Sequence, residues 1–152
     1  MPAAVADRQR RVPLDVSRLT RAADTALAAV GRAGGAVEID IVDDGEIRRL
    51  NTRHRGVRRR TDVLSFPLEA PGSMLVGQVV ISADAARRQA RRLGVPVALE
   101  MDLLITHGVL HLVGWDDRDP VEADLMHRRE REILTSSGRR VPERLWAGLL
   151  VS

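Results

Sequence analysis

An apolar segment that contains two histidines constrains the fold of this chain more than any other stretch. His107 and His111 are four residues apart, and leucine, isoleucine and valine fill most positions around them. On an α-helix, residues i and i+4 share a face, so both imidazoles can point at one atom. A helix that is apolar on nearly all sides is normally buried. We therefore expect a central helix that carries both histidines.

A glycine turn after this helix predicts a third ligand. Gly114 permits the left-handed conformation that ends many helices. Beyond it, Asp117 lies ten residues after His107 and is the better third ligand by spacing, with Asp116 as its competitor. Two histidines and a carboxylate form a three-ligand zinc pattern that leaves a fourth position for water. We predict one zinc ion per chain at His107, His111 and Asp117; satisfied core histidines are the alternative.

Two further acidic residues are candidates for supporting this site. Metal-bound histidines usually donate their other ring N–H to an acceptor, and Asp116 is predicted to fill that role. Glu100 lies on the same helical stripe as the histidines and is predicted to do the same. A solvated charge on a helix face is the alternative for Glu100.

The residue after the first histidine argues against peptide hydrolysis. The spacing of the two histidines, the glycine and the third ligand matches that of the metzincin proteases. Those proteases place a glutamate directly after the first histidine, where it acts as general base. This chain has Gly108 at that position.

Composition limits the class of protein. A chain of 152 residues with 44% hydrophobic and 30% charged residues has globular values. It has no cysteine, which excludes disulfides and thiolate chemistry. No apolar run approaches the roughly 18 residues of a membrane span. We expect a single domain over residues 1–152, with residues 1–13 as a loose leader, in the cytoplasm and without membrane contact.

Local patterns predict an α+β fold with a small sheet of three or four strands and about five helices. Residues 36–42 alternate as a half-buried strand does. Ser82 is a plausible N-cap for a helix that ends at Gly94. Asp119 and Pro120 are typical of the start of a further helix.

Three blocks of sequence resemble one family. His107-Gly-Val-Leu-His-Leu-Val-Gly-Trp-Asp-Asp117 is similar to the His-Gly-x-Leu-His-Leu-x-Gly-Tyr-Asp-His signature of the bacterial YbeY endoribonucleases. Residues 50–56 with 61–67 resemble the second block of that family, and residues 77–82 resemble the third. The resemblance implies a small mixed sheet with surrounding helices. It also implies a zinc-dependent endoribonuclease that cleaves single-stranded RNA in 16S rRNA 3′-end maturation and ribosome quality control.

The resemblance also assigns roles by position. It makes His107 and His111 the first two zinc ligands, puts Asp117 in place of a third histidine, and matches Arg55 to the functional arginine. Ribosomal RNA and ribosomal or assembly proteins are the implied partners, and no organic cofactor is implied. Gln78 stands where the family usually has aspartate, which predicts the loss of a local hydrogen bond or charge.

Arginine supplies all the positive charge of the chain. The 24 basic residues include no lysine, and the net charge is 24 − 21 = +3. Because a guanidinium binds phosphate oxygens in a bidentate way, Arg55 is expected to stabilise charge at the scissile phosphate. Arg58, Arg59 and Arg60 are expected to hold the flanking backbone, with a solvated surface run as the alternative. Only Phe66, Trp115 and Trp146 are aromatic, so recognition should rest on phosphate and shape.

Two other functions are compatible with these residues. One is a non-catalytic ribosome-assembly or rRNA-binding factor whose metal site is degenerate. The other is a metal hydrolase that acts on a different substrate.

Overall fold

A mixed β-sheet lies against a central helix in the computed structural model, which describes residues 3–33, 35–53, 58–59, 63–67 and 75–147. The strands are β1 Ala3–Asp7, β2 Ala36–Val42, β3 Arg58–Arg59, β4 Val63–Pro67 and β5 Leu75–Ser82. Their order in the sheet is β1-β2-β5-β4-β3. β1, β2 and β5 are parallel to one another, whereas β4 is antiparallel to both of its neighbours, β5 and β3.

Five α-helices and one 3-10 helix complete the described fold. They are α1 Val16–Ala29, α2 Asp44–Arg53, α3 Ala83–Leu93, α4 Val97–Leu112, α5 Pro120–Leu134 and the 3-10 helix Glu143–Trp146. The α+β prediction is therefore confirmed. The sheet has five strands rather than three or four, because β1 and the two-residue β3 were not expected.

Helix boundaries follow the local signals in the sequence. The Ser82 hydroxyl accepts a hydrogen bond from the Ala85 amide at 3.1 Å and caps α3, which ends at Gly94 in the left-handed conformation. The Asp119 carboxylate accepts one from the Glu122 amide at 2.9 Å and caps α5. Such caps satisfy amides that have no partner inside the helix.

The N-terminal residues correct the expectation of a loose leader. Residues 3–7 form β1, which pairs in parallel with β2 from Ala3 opposite Val37 to Asp7 opposite Ile41. After this strand, the Gln9 side chain is buried, and its oxygen accepts a hydrogen bond from the Val12 amide at 2.9 Å. The short sequence of β1 has weak strand character alone, and its partner lies more than 30 residues away in the chain.

The helix α4, which carries His107 and His111, lies at the centre of the fold. Every residue from Leu99 to Leu110 is buried, and the helix contacts α1, α3, α5, β4 and β5. Gly108 makes the closest approach to the sheet, because a Cβ atom added there would lie 2.6 Å from Val79 Cγ1 on β5. The face of α4 at Gly108 is therefore occupied by the sheet.

No single helix in the described ranges has the length and apolar character needed to cross a membrane. Within these ranges, α3 and α4 pass such a test of length and composition when taken together, and the two helices are bent by 119° relative to each other.

Candidate metal centre

The last turn of α4 and the segment after it bring two histidines and an aspartate together. Gly114 has φ of +104°, which an L side chain rarely adopts. This conformation reverses the chain, and the Trp115 amide donates to the Leu110 carbonyl at 3.0 Å. Asp117 then lies opposite the imidazoles of His107 and His111.

The three predicted ligands, which we call the His-His-Asp centre, are His107, His111 and Asp117. The Nε2 atoms of His107 and His111 are 3.0 Å apart. The Asp117 carboxylate oxygens lie 3.6 Å from His107 Nε2 and 3.7 Å from His111 Nε2. A tetrahedral ion with bonds of about 2.05 Å separates its ligands by about 3.3 Å. The observed spacings lie close to this value, so the donor set fits one small metal ion.

The hydrogen bonds of the other ring nitrogens support the same assignment. His107 Nδ1 lies 2.7 Å from Glu130 Oε2, and His111 Nδ1 lies 2.9 Å from the Trp115 carbonyl oxygen. A carboxylate and a carbonyl only accept, so both rings carry their proton on Nδ1. In neutral rings the two Nε2 lone pairs then face each other at 3.0 Å. A metal ion bound by both lone pairs, or a proton shared between them, makes this arrangement favourable.

Glu130 is the most deeply buried acidic group beside the centre. Its side chain is fully buried. Its Oε1 accepts from His127 Nδ1 at 2.9 Å and from Trp146 Nε1 at 3.2 Å. Burial raises the pKa of Glu130, but the electrostatic attraction and hydrogen bonds of His107 and His127 outweigh this effect and hold the pKa below its usual value. Glu130 is therefore an ionised acceptor that fixes the orientation of the His107 ring.

The sequence analysis missed Glu130, although a signal for it exists. Met126, Glu130 and Ile133 follow one another at helical spacing and are all buried. A glutamate among apolar residues on the inner face of a helix is seldom buried unless it is paired. The partner of this glutamate lies 23 residues earlier in the chain.

Asp116 and Glu100 do not hold the positions predicted for them. The Nδ1 atoms of the two histidines are engaged by Glu130 and by a backbone carbonyl. Asp116 instead accepts from the Asp117 amide at 3.0 Å and pairs with Arg118 at 3.1 Å, so it shapes the turn. Glu100 is buried in the first turn of α4, seven residues before His107 and about 10 Å away along the helix axis.

The predicted RNA-binding arginines lie largely beyond what the structure describes. Arg55 and Arg60 fall outside the described residues. The backbone of Arg58 and Arg59 forms β3, where they pair with Ser65 and Leu64 of β4. The roles assigned to these four arginines stay predictions.

Two residues of the chain, Gly108 and Gln78, depart from patterns known in other proteins. Gly108 leaves no room for the glutamate of a zinc protease, because Val79 occupies the space beside it. Gln78 donates a hydrogen bond to Asp40. A hydrogen bond is therefore present where its loss was expected, and an aspartate there would place a second carboxylate beside Asp40.

The protein thus belongs to the class of α+β proteins with a candidate centre for a single metal ion. The three candidate ligands of this centre lie on a buried helix and on the turn that follows it. Comparison with known proteins identifies the family. Residues 4–138 match the model of the family described as Endoribonuclease YbeY. This chain therefore belongs to the YbeY family.

Individual relatives agree with this assignment. The chain is 47% identical to the endoribonuclease YbeY of an Anaeromyxobacter species, over 80% of this chain and 64% of that protein. It is 41% identical to the endoribonuclease YbeY of Pelotomaculum thermopropionicum, over 88% of this chain and 95% of that protein. The match thus spans slightly less than two thirds of the Anaeromyxobacter protein.

A solved structure shares the fold. The solution structure of TM1509 from Thermotoga maritima superposes with a TM-score of 0.60 at 20% identity, over 98% of this chain and 92% of that one. At this identity the likeness concerns the fold alone.

Proposed function

We propose that this chain is a metal-dependent endoribonuclease that cleaves single-stranded ribosomal RNA in the cytoplasm, in 16S rRNA 3′-end maturation and ribosome quality control. The observation that carries the proposal is the His-His-Asp centre, with Glu130 behind His107, in a member of the YbeY family. Zinc is the proposed ion, because two imidazoles and one carboxylate form one of its usual ligand sets. Ribosomal RNA and ribosomal or assembly proteins are the proposed partners.

Different residues are proposed to bind the metal ion, to orient its ligands and to bind the RNA phosphates. His107, His111 and Asp117 would hold the ion, which when bound supplies Lewis acidity to a phosphate oxygen or to a water. Glu130 and the Trp115 carbonyl keep both Nε2 atoms directed at the same point. Arg55 is proposed to stabilise the charge that develops on the phosphate, and Arg58, Arg59 and Arg60 to bind the flanking backbone. The ends of the product RNA would show whether water or the 2′-hydroxyl attacks.

Single substitutions test the proposal directly. Metal content and RNA cleavage should be measured together for the wild type, His111→Ala and Arg55→Ala. His111→Ala is expected to lose both bound metal and cleavage. Arg55→Ala is expected to keep the metal and lose cleavage by about 100-fold or more, because a charge-stabilising donor is removed. Arg32→Ala, at an exposed residue, is the charge-matched control.

Two outcomes would contradict this reading. Cleavage that persists in both variants would point to a contaminating nuclease. Bound metal without any cleavage by the wild type would favour the non-catalytic assembly factor.

Asp117 is expected to set the pH dependence. With Zn²⁺, two imidazoles and one carboxylate leave a net charge of about +1, whereas three imidazoles leave about +2. Asp117→His should therefore make a bound water more acidic and move the pH–rate profile to lower pH. Profiles and metal preference should be compared with those of Asp124→His, which makes the same change at an exposed position on α5. Superimposable profiles for the wild type and Asp117→His would refute the expectation.

A further inference from the structure

A buried histidine lies behind the His-His-Asp centre without belonging to its ligand set. His127 is on α5, three residues before Glu130, and is 5% exposed. Its Nδ1 lies 2.9 Å from Glu130 Oε1. The other oxygen of the same carboxylate, Oε2, lies 2.7 Å from His107 Nδ1. Glu130 therefore bridges a predicted metal ligand and a histidine outside the ligand set.

Both oxygens of the Glu130 carboxylate are engaged in hydrogen bonds. Oε2 accepts from His107, whereas Oε1 accepts from His127 and, at 3.2 Å, from Trp146 Nε1. Because a carboxylate only accepts, the His127 ring carries a proton on Nδ1. The last torsion of a glutamate has only a broad intrinsic preference. The donors on Oε1 therefore restrict the rotation of the carboxylate and keep Oε2 directed at the His107 ring.

The positions of these side chains follow from the packing of α5. Residues three apart are neighbours on one face of a helix, so His127 and Glu130 lie side by side. They belong to the buried face of α5, and this helix contacts α4, which carries His107. A change at His127 can therefore reach the metal centre through a single carboxylate.

The second ring nitrogen of His127 argues against a role in packing alone. His127 Nε2 is buried and has no hydrogen-bond partner within the described residues. A neutral ring leaves an unmatched acceptor at this atom, and a charged ring leaves an unmatched donor. Either state destabilises the fold, whereas an apolar side chain would fill the space without an unmatched group. Residues that break such a rule of packing are expected at functional sites.

We propose that His127 is a positioning residue for the metal centre. Its Nδ1–H holds the Glu130 carboxylate, and this carboxylate orients the His107 ring so that Nε2 is directed at the ion. The inference rests on the proposed function, since it takes the His-His-Asp centre to bind a metal. Loss of a group bonded directly to a metal ligand lowers metal affinity by about 10- to 100-fold. His127 acts from one residue further away, so its loss should have an effect near the lower limit, roughly tenfold.

Two variants separate the hydrogen bond from the space that the ring fills. His127→Leu removes the donor. His127→Asn keeps an N–H on an atom that is as many bonds from Cα as Nδ1 is, so it can still donate to Glu130 Oε1. Zinc affinity of the full chain should be measured by competition with a chelator of known affinity. It should fall roughly tenfold in His127→Leu and stay within about threefold of the wild type in His127→Asn.

A double-mutant cycle tests whether His127 acts through Glu130. In the Glu130→Gln background, His127→Leu should lower zinc affinity by less than about threefold, because the carboxylate that it positions is already absent. Ile39→Val, a change at a fully buried residue of β2, is the control for a general loss of stability. It should lower the unfolding temperature and leave the zinc affinity of the folded protein unchanged.

NMR of the histidine rings gives a readout that needs neither metal nor cleavage. The chain has four histidines, so the nitrogen–proton correlations of the metal-free rings can be assigned by substitution. The proton on His107 Nδ1 should exchange slowly in the wild type and in His127→Asn. In His127→Leu it should exchange roughly tenfold faster, the factor that corresponds to one lost hydrogen bond to a charged group. His127→Phe, which removes both ring nitrogens, serves as the donor-free variant if His127→Leu does not fold.

The possible outcomes distinguish this inference from the proposed function. Equal zinc affinities of the wild type and the donor-free variant would overturn the inference even if the chain cleaves RNA. Equal losses in His127→Leu and His127→Asn, or an undiminished effect in the Glu130→Gln background, would overturn it as well. A wild type that binds no zinc would refute the proposed function. The exchange rate of the His107 proton would then still decide whether His127 positions this ring.

Discussion

Replacing Glu130 with glutamine is expected to weaken metal binding at the His-His-Asp centre by about 10- to 100-fold. The Glu130 carboxylate accepts from His107, His127 and Trp146 and is fully buried. Glutamine keeps the size of the side chain but removes the charge that orients the His107 ring. The ligands themselves are unchanged, so the variant measures the contribution of positioning. Metal affinity should be determined by competition with a chelator of known affinity.

Two control variants distinguish an effect on the orientation of the His107 ring from a general loss of stability. Glu132→Gln makes the same change two residues later on α5, at a side chain that is 67% exposed, and should leave metal affinity unchanged. Trp146→Phe removes one hydrogen bond to Glu130 without removing its charge, and its effect should lie between those of the other two. Wild-type metal affinity in a folded Glu130→Gln protein would show that the His107 orientation does not depend on this carboxylate.

Replacing Gly108 with glutamate is expected to prevent stable packing of α4 on the sheet. Even a Cβ atom at this position would lie 2.6 Å from Val79 Cγ1 and 3.0 Å from its Cγ2. Glutamate would also place a charge in a fully buried part of the helix. We expect Gly108→Glu to be insoluble or unfolded, and the smaller Gly108→Ala to introduce overpacking strain of about 1–3 kcal/mol.

A double-mutant cycle with Val79→Ala isolates that strain. Alanine favours a helix over glycine by up to about 1 kcal/mol, which partly conceals the clash in the single variant. Denaturant unfolding of the four proteins should therefore give a coupling free energy of about 1–3 kcal/mol in favour of the double variant. Gly45→Ala on α2, where a Cβ atom meets nothing closer than 3.4 Å, is the matched control and should be neutral or stabilising. Strictly additive effects at Gly108 and Val79 would contradict the close approach.

The parts of the fold that the sequence predicted are those with local causes. Ser82, Gly94 and Asp119 each act on the backbone within four residues, so both ends of α3 and the start of α5 could be read from the sequence. The same holds for His107 and His111, whose common face follows from helical geometry.

The parts that the sequence did not predict depend on distant or backbone atoms. Glu130 and His107 meet only because α5 packs on α4, and the partner of His111 is the carbonyl of Trp115, which no side chain reveals. Asp116 was an attractive acceptor because it is adjacent to Asp117, but the turn directs it to Arg118. The strand β1 likewise depends on β2, from which a long segment separates it.

The pairing of β1 with β2 has a consequence for solubility. β2 presents Val37, Ile39 and Ile41 to the core, and β1 covers the backbone edge of this strand with a row of parallel pairs. An uncovered strand edge is a template for pairing with another chain. A protein that lacked its first eight residues would expose a flat edge beside apolar side chains. We therefore expect the truncated protein to self-associate more readily than the full chain, in which the short strand β1 forms this edge of the sheet.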